Sequence, residues 1–269
     1  MQNLFVSPPF DLHMHTTASD GEYTPIDLVR KAHSVGLKTI AITDHDTLDA
    51  VEEAQIEGER LGIEVIAGVE LSTKHKGKSV DVLGYYITNR KELDTLLQKM
   101  RDERENRTHR IIDKFVEIGM PLTIDDVKEF GGGSVLARPH IAKAIVKKGY
   151  VSDYQTVFDE YLADGKPCAL DKFILSPQQA IDLIHNAGGK AFIAHPKLIG
   201  NDELVAELLN ECSFDGIEVW HRKHDLEDAS RYEEMAKSSG ILMSGGSDFH
   251  NDEHELGRFG FNLNKELHT

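Results

Sequence analysis

Histidines and carboxylates recur in five short clusters whose residue types can bind divalent cations. Asp11-Leu12-His13-Met14-His15 comes first, and residues two apart on a strand point the same way. His13 and His15 can therefore aim two imidazoles into one space, although two solvated histidines would read identically. Asp20 follows in Ser19-Asp20-Gly21, a sequence that ordinary turn chemistry also explains. In Thr43-Asp44-His45-Asp46, Asp46 is expected to cap the next helix, while His45 has no capping preference and reads as a ligand. Glu70 ends the Val/Ile-rich stretch before it, and His195 ends Ala191-Phe192-Ile193-Ala194 where Pro196 forces the chain out. Asp248 and His250 repeat the two-residue spacing after Gly245-Gly246, whose missing side chains permit close backbone approach.

The elements that must position these residues are short apolar runs. Strands are expected at Phe10–His13, Thr39–Thr43, Glu64–Val69, Val80–Tyr86, Lys190–Ala194, Gly216–Trp220 and Ile241–Ser244. Helix signals between them, Thr24-Pro25 to Gly36 and Ser176-Pro177 to Gly188-Gly189, favour a parallel sheet closed into a β/α barrel. His13, His15, His45, Glu70, His195, Asp248 and His250 then share the C-terminal ends of the strands, where barrel enzymes place their sites. Mixed nitrogen and oxygen donors suit Mn²⁺, Fe²⁺ or Zn²⁺. A catalytic zinc uses about three protein ligands, so this many implies at least two ions.

The chain of 269 residues carries a formal net charge of −16, which repels duplex DNA and anionic lipid at long range. Cys168 and Cys212 form no CxxC pair, and neither a signal peptide nor a membrane-spanning run is evident, so a cytoplasmic setting is expected. Oligomeric state is not legible. Residues 91–167 lack a buried-strand pattern and read as an inserted helical, substrate-capping domain, with Gly131-Gly132-Gly133 as a loop or hinge. Residues 1–90 and 168–269 supply the barrel. Arg101, Arg104, Arg107, Arg110 and Lys114 are expected to pair with acids of their own helix. His221 and His224 are expected to line the cleft without binding ions, and His33, His109, His185, His254 and His268 to be surface or helix residues.

The chain resembles the PHP family, named for its polymerase and histidinol-phosphatase members. The resemblance rests on D-L-H-M-H-T-T-A-S-D-G (Asp11–Gly21), I-T-D-H-D-T (Ile42–Thr47), G-V-E-L-S (Gly68–Ser72), A-H-P (Ala194–Pro196) and S-D-F-H (Ser247–His250). It implies an α/β fold, a distorted (β/α)7 barrel with a trinuclear metal centre. The ligands it implies are His13, His15, Asp20, His45, Glu70, His195, Asp248 and His250. Family members usually carry a further histidine in V-H-x-L-G-Y. Here Val80-Asp81-Val82-Leu83-Gly84-Tyr85 puts Asp81 at that position, preferred over His75 in its turn-like Lys74-His75-Lys76-Gly77 setting. The helical region resembles a branch that dephosphorylates nucleoside 3′,5′-bisphosphates, some of whose members digest short RNA from the 5′ end. Arg138 and His140, in Ala137-Arg138-Pro139-His140-Ile141-Ala142, are its candidate phosphate contacts, with a salt-bridged arginine and a capping histidine as an equal alternative.

The expected reaction is hydrolysis of phosphate monoesters or diesters by a hydroxide bridging the ions, with Asp44 orienting a ligand imidazole. Asp20, Glu70, Asp81 and Asp248 carry −4 against +6 for three ions. The centre then stays positive by about two formal charges and can draw an anionic substrate to an acidic protein. Histidinol phosphatase, an amidohydrolase and a non-catalytic metal-binding regulatory module are the alternatives. Glu70 and Asp81 stand where an amidohydrolase would carry a metal-bridging lysine.

Overall fold

β2 (Thr39–Ile42) is buried along its whole length, as a strand covered on both faces must be. In the computed structural model, residues 4–7, 9–130, 136, 138–163, 165–170 and 174–260 are described. Gly131-Gly132-Gly133, Ala137, His268 and the side chains of Arg101 and Arg104 lie outside them. The strands form one sheet in chain order, from β1 (Phe10–Asp11) and β2 through β3 (Glu64–His75), β4 (Lys78–Tyr85), β5 (Lys190–Ile193) and β6 (Gly216–His221) to β7 (Leu242–Gly246). Leu12 N donates to Gly245 O at 3.1 Å and His15 N to Phe249 O at 2.9 Å, so the barrel nearly closes between β7 and β1.

One strand corrects the expectation of a parallel sheet. β4 runs antiparallel to both β3 and β5. Lys76 (φ 45°) and Gly77 (φ 83°) form the two-residue connection from β3, and so short a connection can join only antiparallel neighbours. The reversal matters for chemistry, because it brings the beginning of β4 to the end where β3 and β5 finish. Asp81 sits there, opposite Ser72, and Ala194 N donates to its carbonyl at 3.0 Å. Glu70 lies within β3, not at its end, opposite Leu83. Leu83 and Tyr85 join Phe10, Leu12, Ala41, Ile66 and Phe192 in the buried barrel interior. With a period of two, Ile66 shares a face with Glu70, and Asp81 shares one with Leu83 and Tyr85.

Thr24 caps α1 (Pro25–Ser34), its side chain accepting from Asp27 N. α2 (Val51–Leu61) has Ala50 at its N-cap, and Asp46 instead occupies left-handed backbone (φ 52°) ahead of it, so the expected Asp46 cap is not made. The chain divides into two compact units, Met1–Thr95 with Ile174–Thr269, and Leu96–Phe173. In the second, Ile111, Ile112 and Phe115 of α3 (Arg90–Glu117) share a core with Val127 of α4 (Ile124–Lys128), Ile141 and Ile145 of α5 (Arg138–Lys147) and Val157 of α6 (Tyr154–Val157). Arg107 donates to Leu170 O at 2.6 and 3.0 Å and Lys114 to Pro167 O at 3.2 Å, partners outside α3 that the expected intrahelical pairing did not include. In the first unit, α7 (Pro177–Asn186) starts with a Ser176/Gln179 capping box. It is followed by α8 (Asp202–Glu211) and α9 (Leu226–Ser239). No helix among the described residues is long and apolar enough to cross a membrane.

Candidate metal centre

His13 and His15 are fully buried where β1 runs out, and their Nε2 atoms converge on two carboxylates. His13 Nε2 lies 3.2 Å from Glu70 Oε2 and 3.6 Å from Asp248 Oδ1. His15 Nε2 is 3.3 Å from the same two oxygens. His45 Nδ1 reaches Glu70 Oε2 at 3.3 Å, and His195 Nε2 lies 3.0 Å from Glu70 Oε1. Glu70 thus stands among four imidazoles. Asp20 completes a neighbouring group, 3.6 Å from His15 Nδ1, 3.3 Å from His250 Nε2 and 3.9 Å from His45 Nε2. Asp81 Oδ2 lies 3.9 Å from His195 Nε2. His75 goes elsewhere, pairing with Glu207 of α8 at 3.2 Å.

Backbone geometry helps to aim these groups. His195 (φ 25°) and Asp248 (φ 50°) both occupy the left-handed region, a strained state for non-glycine residues that recurs at functional sites. Gly246 passes so close to β1 that a Cβ there would lie 2.3 Å from His13 Cβ and 2.4 Å from His13 N. Gly246→Ala is therefore expected to push His13 out of register. The destabilisation should be about 1–3 kcal/mol, and turnover should fall at least about tenfold. Thermal melts and initial rates check this, and an alanine variant indistinguishable from wild type would contradict it.

The donor set fits divalent cations. His15 Nδ1 and Nε2, His45 Nδ1 and Asp81 Oδ1 are buried and make no aligned hydrogen bond, a cost that is accepted where an ion is to be bound. Burial opposes charge on the ligands, but mutual attraction prevails. Desolvation lowers His15, yet Asp248 and Glu70 outweigh it and raise its pKa to about 9. Burial likewise disfavours charge on His13, and the carboxylates of Glu218 and Glu70 raise it well above its ordinary value. Glu70 is held well below the carboxylate range, because His13, His15 and His195 overcome its desolvation. Asp20 falls to about 2 beside His250, His15 and His45, again against burial. Asp81 moves the other way, raised by burial and by the charge of Glu70.

Asp44 does not touch a ligand imidazole, contrary to the sequence expectation. Its carboxylate accepts from Thr16 N (2.7 Å), Thr16 Oγ1 (2.8 Å) and Ser19 Oγ (2.6 Å), which fixes the loop that carries Asp20. Sequence reasoning missed Glu218, fully buried on β6, which lies 3.0 Å from His13 Nδ1. An acid inside the apolar run Ile217–Trp220 was the available signal. His221 is also fully buried, 3.4 Å from Asp248 Oδ2, and Arg222 Nη2 donates to that oxygen at 2.7 Å. His254 is not a plain surface residue, since its Nδ1 accepts from His250 N at 3.2 Å. Within the helical unit, half-buried Arg138 donates to Leu162 O at 2.9 Å, and His140 is half-buried on the same helix, α5.

A β/α barrel whose mouth gathers histidines and carboxylates in this way is the framework of a metal-dependent hydrolase. Residues 11–163 match the PHP domain. A 5′-3′ exoribonuclease of Haemophilus influenzae is 35% identical over 246 residues, covering 90% of this chain and 89% of its own. A 3′,5′-nucleoside bisphosphate phosphatase of Chromobacterium violaceum is 31% identical, covering 89% and 86%. A solved structure described as a C. violaceum amidohydrolase, with bound sulfate and no metal, aligns with a TM-score of 0.69 at 31% identity, over 93% of this chain and 90% of that one. The chain belongs to the PHP family, and it is a metal-dependent phosphoesterase.

Proposed function

We propose that the protein hydrolyses phosphate esters of a nucleotide-type substrate, a nucleoside 3′,5′-bisphosphate or the 5′ end of a short RNA, using two or three Mn²⁺, Fe²⁺ or Zn²⁺ ions. The observation that carries this reading is His15. Its Nε2 faces Glu70 and Asp248 while its Nδ1 faces Asp20, so it stands between two adjoining groups of ligand atoms. His13, His15 and Asp248, with Glu70 beside them, would hold one ion, and Asp20, His45 and His250 with His15 another. His195 with Glu70, joined by Asp81, would hold a third. When bound, such ions lower the pKa of a coordinated water, neutralise phosphoryl oxygens and stabilise a leaving alkoxide.

The protein's own groups do the rest. Arg222 offsets charge on Asp248, and the Asp44 hydrogen bonds hold the Asp20 loop in place. The exoribonuclease and bisphosphate phosphatase relatives support a nucleotide over histidinol phosphate. Glu70, in the stretch where an amidohydrolase would typically carry its metal-bridging lysine, stands among four imidazoles, and this supports the phosphoesterase reading over the amidohydrolase one. The unpaired Cys168 and Cys212 suit a reducing cytoplasm.

The test is phosphate or nucleotide release from a nucleoside 3′,5′-bisphosphate, a short 5′-phosphorylated RNA, histidinol phosphate and an N-acyl amide panel, each with Mn²⁺, Fe²⁺ or Zn²⁺. Fastest turnover of an amide would overturn the reaction class, and fastest turnover of histidinol phosphate the substrate class. We also propose Arg138 and His140 as phosphate contacts. Arg138→Ala is expected to raise KM roughly tenfold, the worth of one charge-assisted hydrogen bond, with kcat little changed. Unchanged steady-state kinetics would return Arg138 to a structural role, its bond to Leu162 O included.

A further inference from the structure

Glu218 lies on β6 opposite Ser244 of β7, fully buried in the barrel wall beneath the metal centre. Its two oxygens reach residues just beyond the ends of two different strands, β1 and β5. Oε1 is 3.0 Å from His13 Nδ1, and Oε2 accepts the backbone N–H of His195 at 2.7 Å. We propose that Glu218 is a positioning residue for the centre. It fixes the protonation pattern of His13 and holds the strained turn at His195, so that both Nε2 atoms face Glu70. The inference rests on His13 and His195 being ion ligands.

The chemistry of the acceptor makes the role specific. A carboxylate can only accept, so the hydrogen it faces must sit on His13 Nδ1. Nε2, 3.2 Å from Glu70 Oε2, is then the nitrogen that can give up its proton and offer a lone pair where an ion would lie. Metal-binding histidines are commonly oriented in this way by a carboxylate on the far nitrogen. Glutamine has nearly the same shape but only one acceptor atom. If its oxygen keeps the His195 N–H, its amide hydrogens confront His13 Nδ1 and drive the imidazole proton onto Nε2, the atom needed for the ion. If the amide turns over, the N–H of His195 loses its acceptor. Either way one ligand is compromised. Aspartate is shorter, but it retains acceptor-only chemistry.

A packing role and a positioning role therefore rank the variants in opposite order. Packing favours isosteric Glu218→Gln over Glu218→Asp, whereas positioning favours Asp over Gln. The experiment is calorimetric titration of the chelator-stripped full chain with Mn²⁺, alongside its melting temperature without metal. Glu218→Gln is expected to bind Mn²⁺ about 10–100-fold more weakly than wild type, with Glu218→Asp between the two. Ile66→Val, altering an apolar residue of the same barrel interior, is the control and should keep wild-type affinity. Glutamine binding Mn²⁺ as tightly as aspartate, or as tightly as wild type, overturns the assignment while leaving the centre intact. Absence of Mn²⁺ binding by the wild type overturns the centre and the Glu218 role together.

Discussion

Asp248→Ala is expected to cut kcat/KM by about 10³-fold or more, equivalent to at least ~4 kcal/mol of lost transition-state stabilisation. One carboxylate here serves many partners. Oδ1 faces His13, His15 and His250 at 3.3–3.6 Å, while Oδ2 faces His221 and Arg222. Its removal takes away a ligand and also strands buried positive charge, and both effects disfavour a cation. His13, His15 and His221 together hold the Asp248 carboxyl far below its ordinary range, overcoming the desolvation that opposes them. His195→Ala should behave similarly, since its Nε2 lies 3.0 Å from Glu70 Oε1. Far-ultraviolet circular dichroism should remain native for both, because neither side chain belongs to the apolar interior formed by Phe10, Leu12, Tyr85 and Phe192. Near-wild-type rates in both variants would remove the centre from the reaction.

Legibility in the sequence followed from how local each signal is. Barrel strands such as Ala191–Ile193 are buried on both faces, so they stand out as unbroken apolar runs even without alternation. Strand direction is less local. Lys76-Gly77 advertises a tight turn, but only the pairing of Gly68–His75 with Lys78–Tyr85 shows that β4 reverses. The same reversal explains why Asp81 can approach His195 although it stands near the start of its strand.

Glu218 was hidden for a related reason. Ile217, Val219 and the burial around them make the segment read as plain core, and a partner 205 residues earlier cannot be inferred from spacing. Asp44 sits beside a ligand histidine, which made an imidazole partner the natural expectation. Its real partners, Thr16 and Ser19, belong to a loop whose path depends on Gly21, where a Cβ would lie 2.3 Å from His15 O. Arg107 shows the limit from the other side. Its bonds to Leu170 O require the chain to return over 63 residues, and no pattern within α3 reports that.

Removal of the ions is expected to abolish turnover and to lower the melting temperature. Ions that bind the folded chain and not the unfolded one stabilise by RT ln(1 + [M]/Kd), ~4 kcal/mol per ion at a thousandfold excess over Kd. For a chain of this size that corresponds to a rise of about 8–16 °C per ion. Chelation should leave a folded protein at neutral pH, because protons can partly stand in for the ions. His15, raised from 6.5 to about 9 by Asp248 and Glu70 against its burial, remains charged at pH 7 when no ion is present. A raised pKa contributes stability that is fully present below the unfolded value near 6.5 and is lost as pH climbs through about 9. The metal-free protein should therefore weaken between pH 7 and 9, whereas the loaded protein, whose ligands have already given up these protons, should weaken less. Scanning calorimetry with and without Mn²⁺ at pH 7 and pH 9 measures both, and the gap between melting temperatures should widen at the higher pH. Equal melting temperatures with and without metal at both pH values, together with turnover that survives chelation, would show that these imidazoles and carboxylates meet for some purpose other than holding cations.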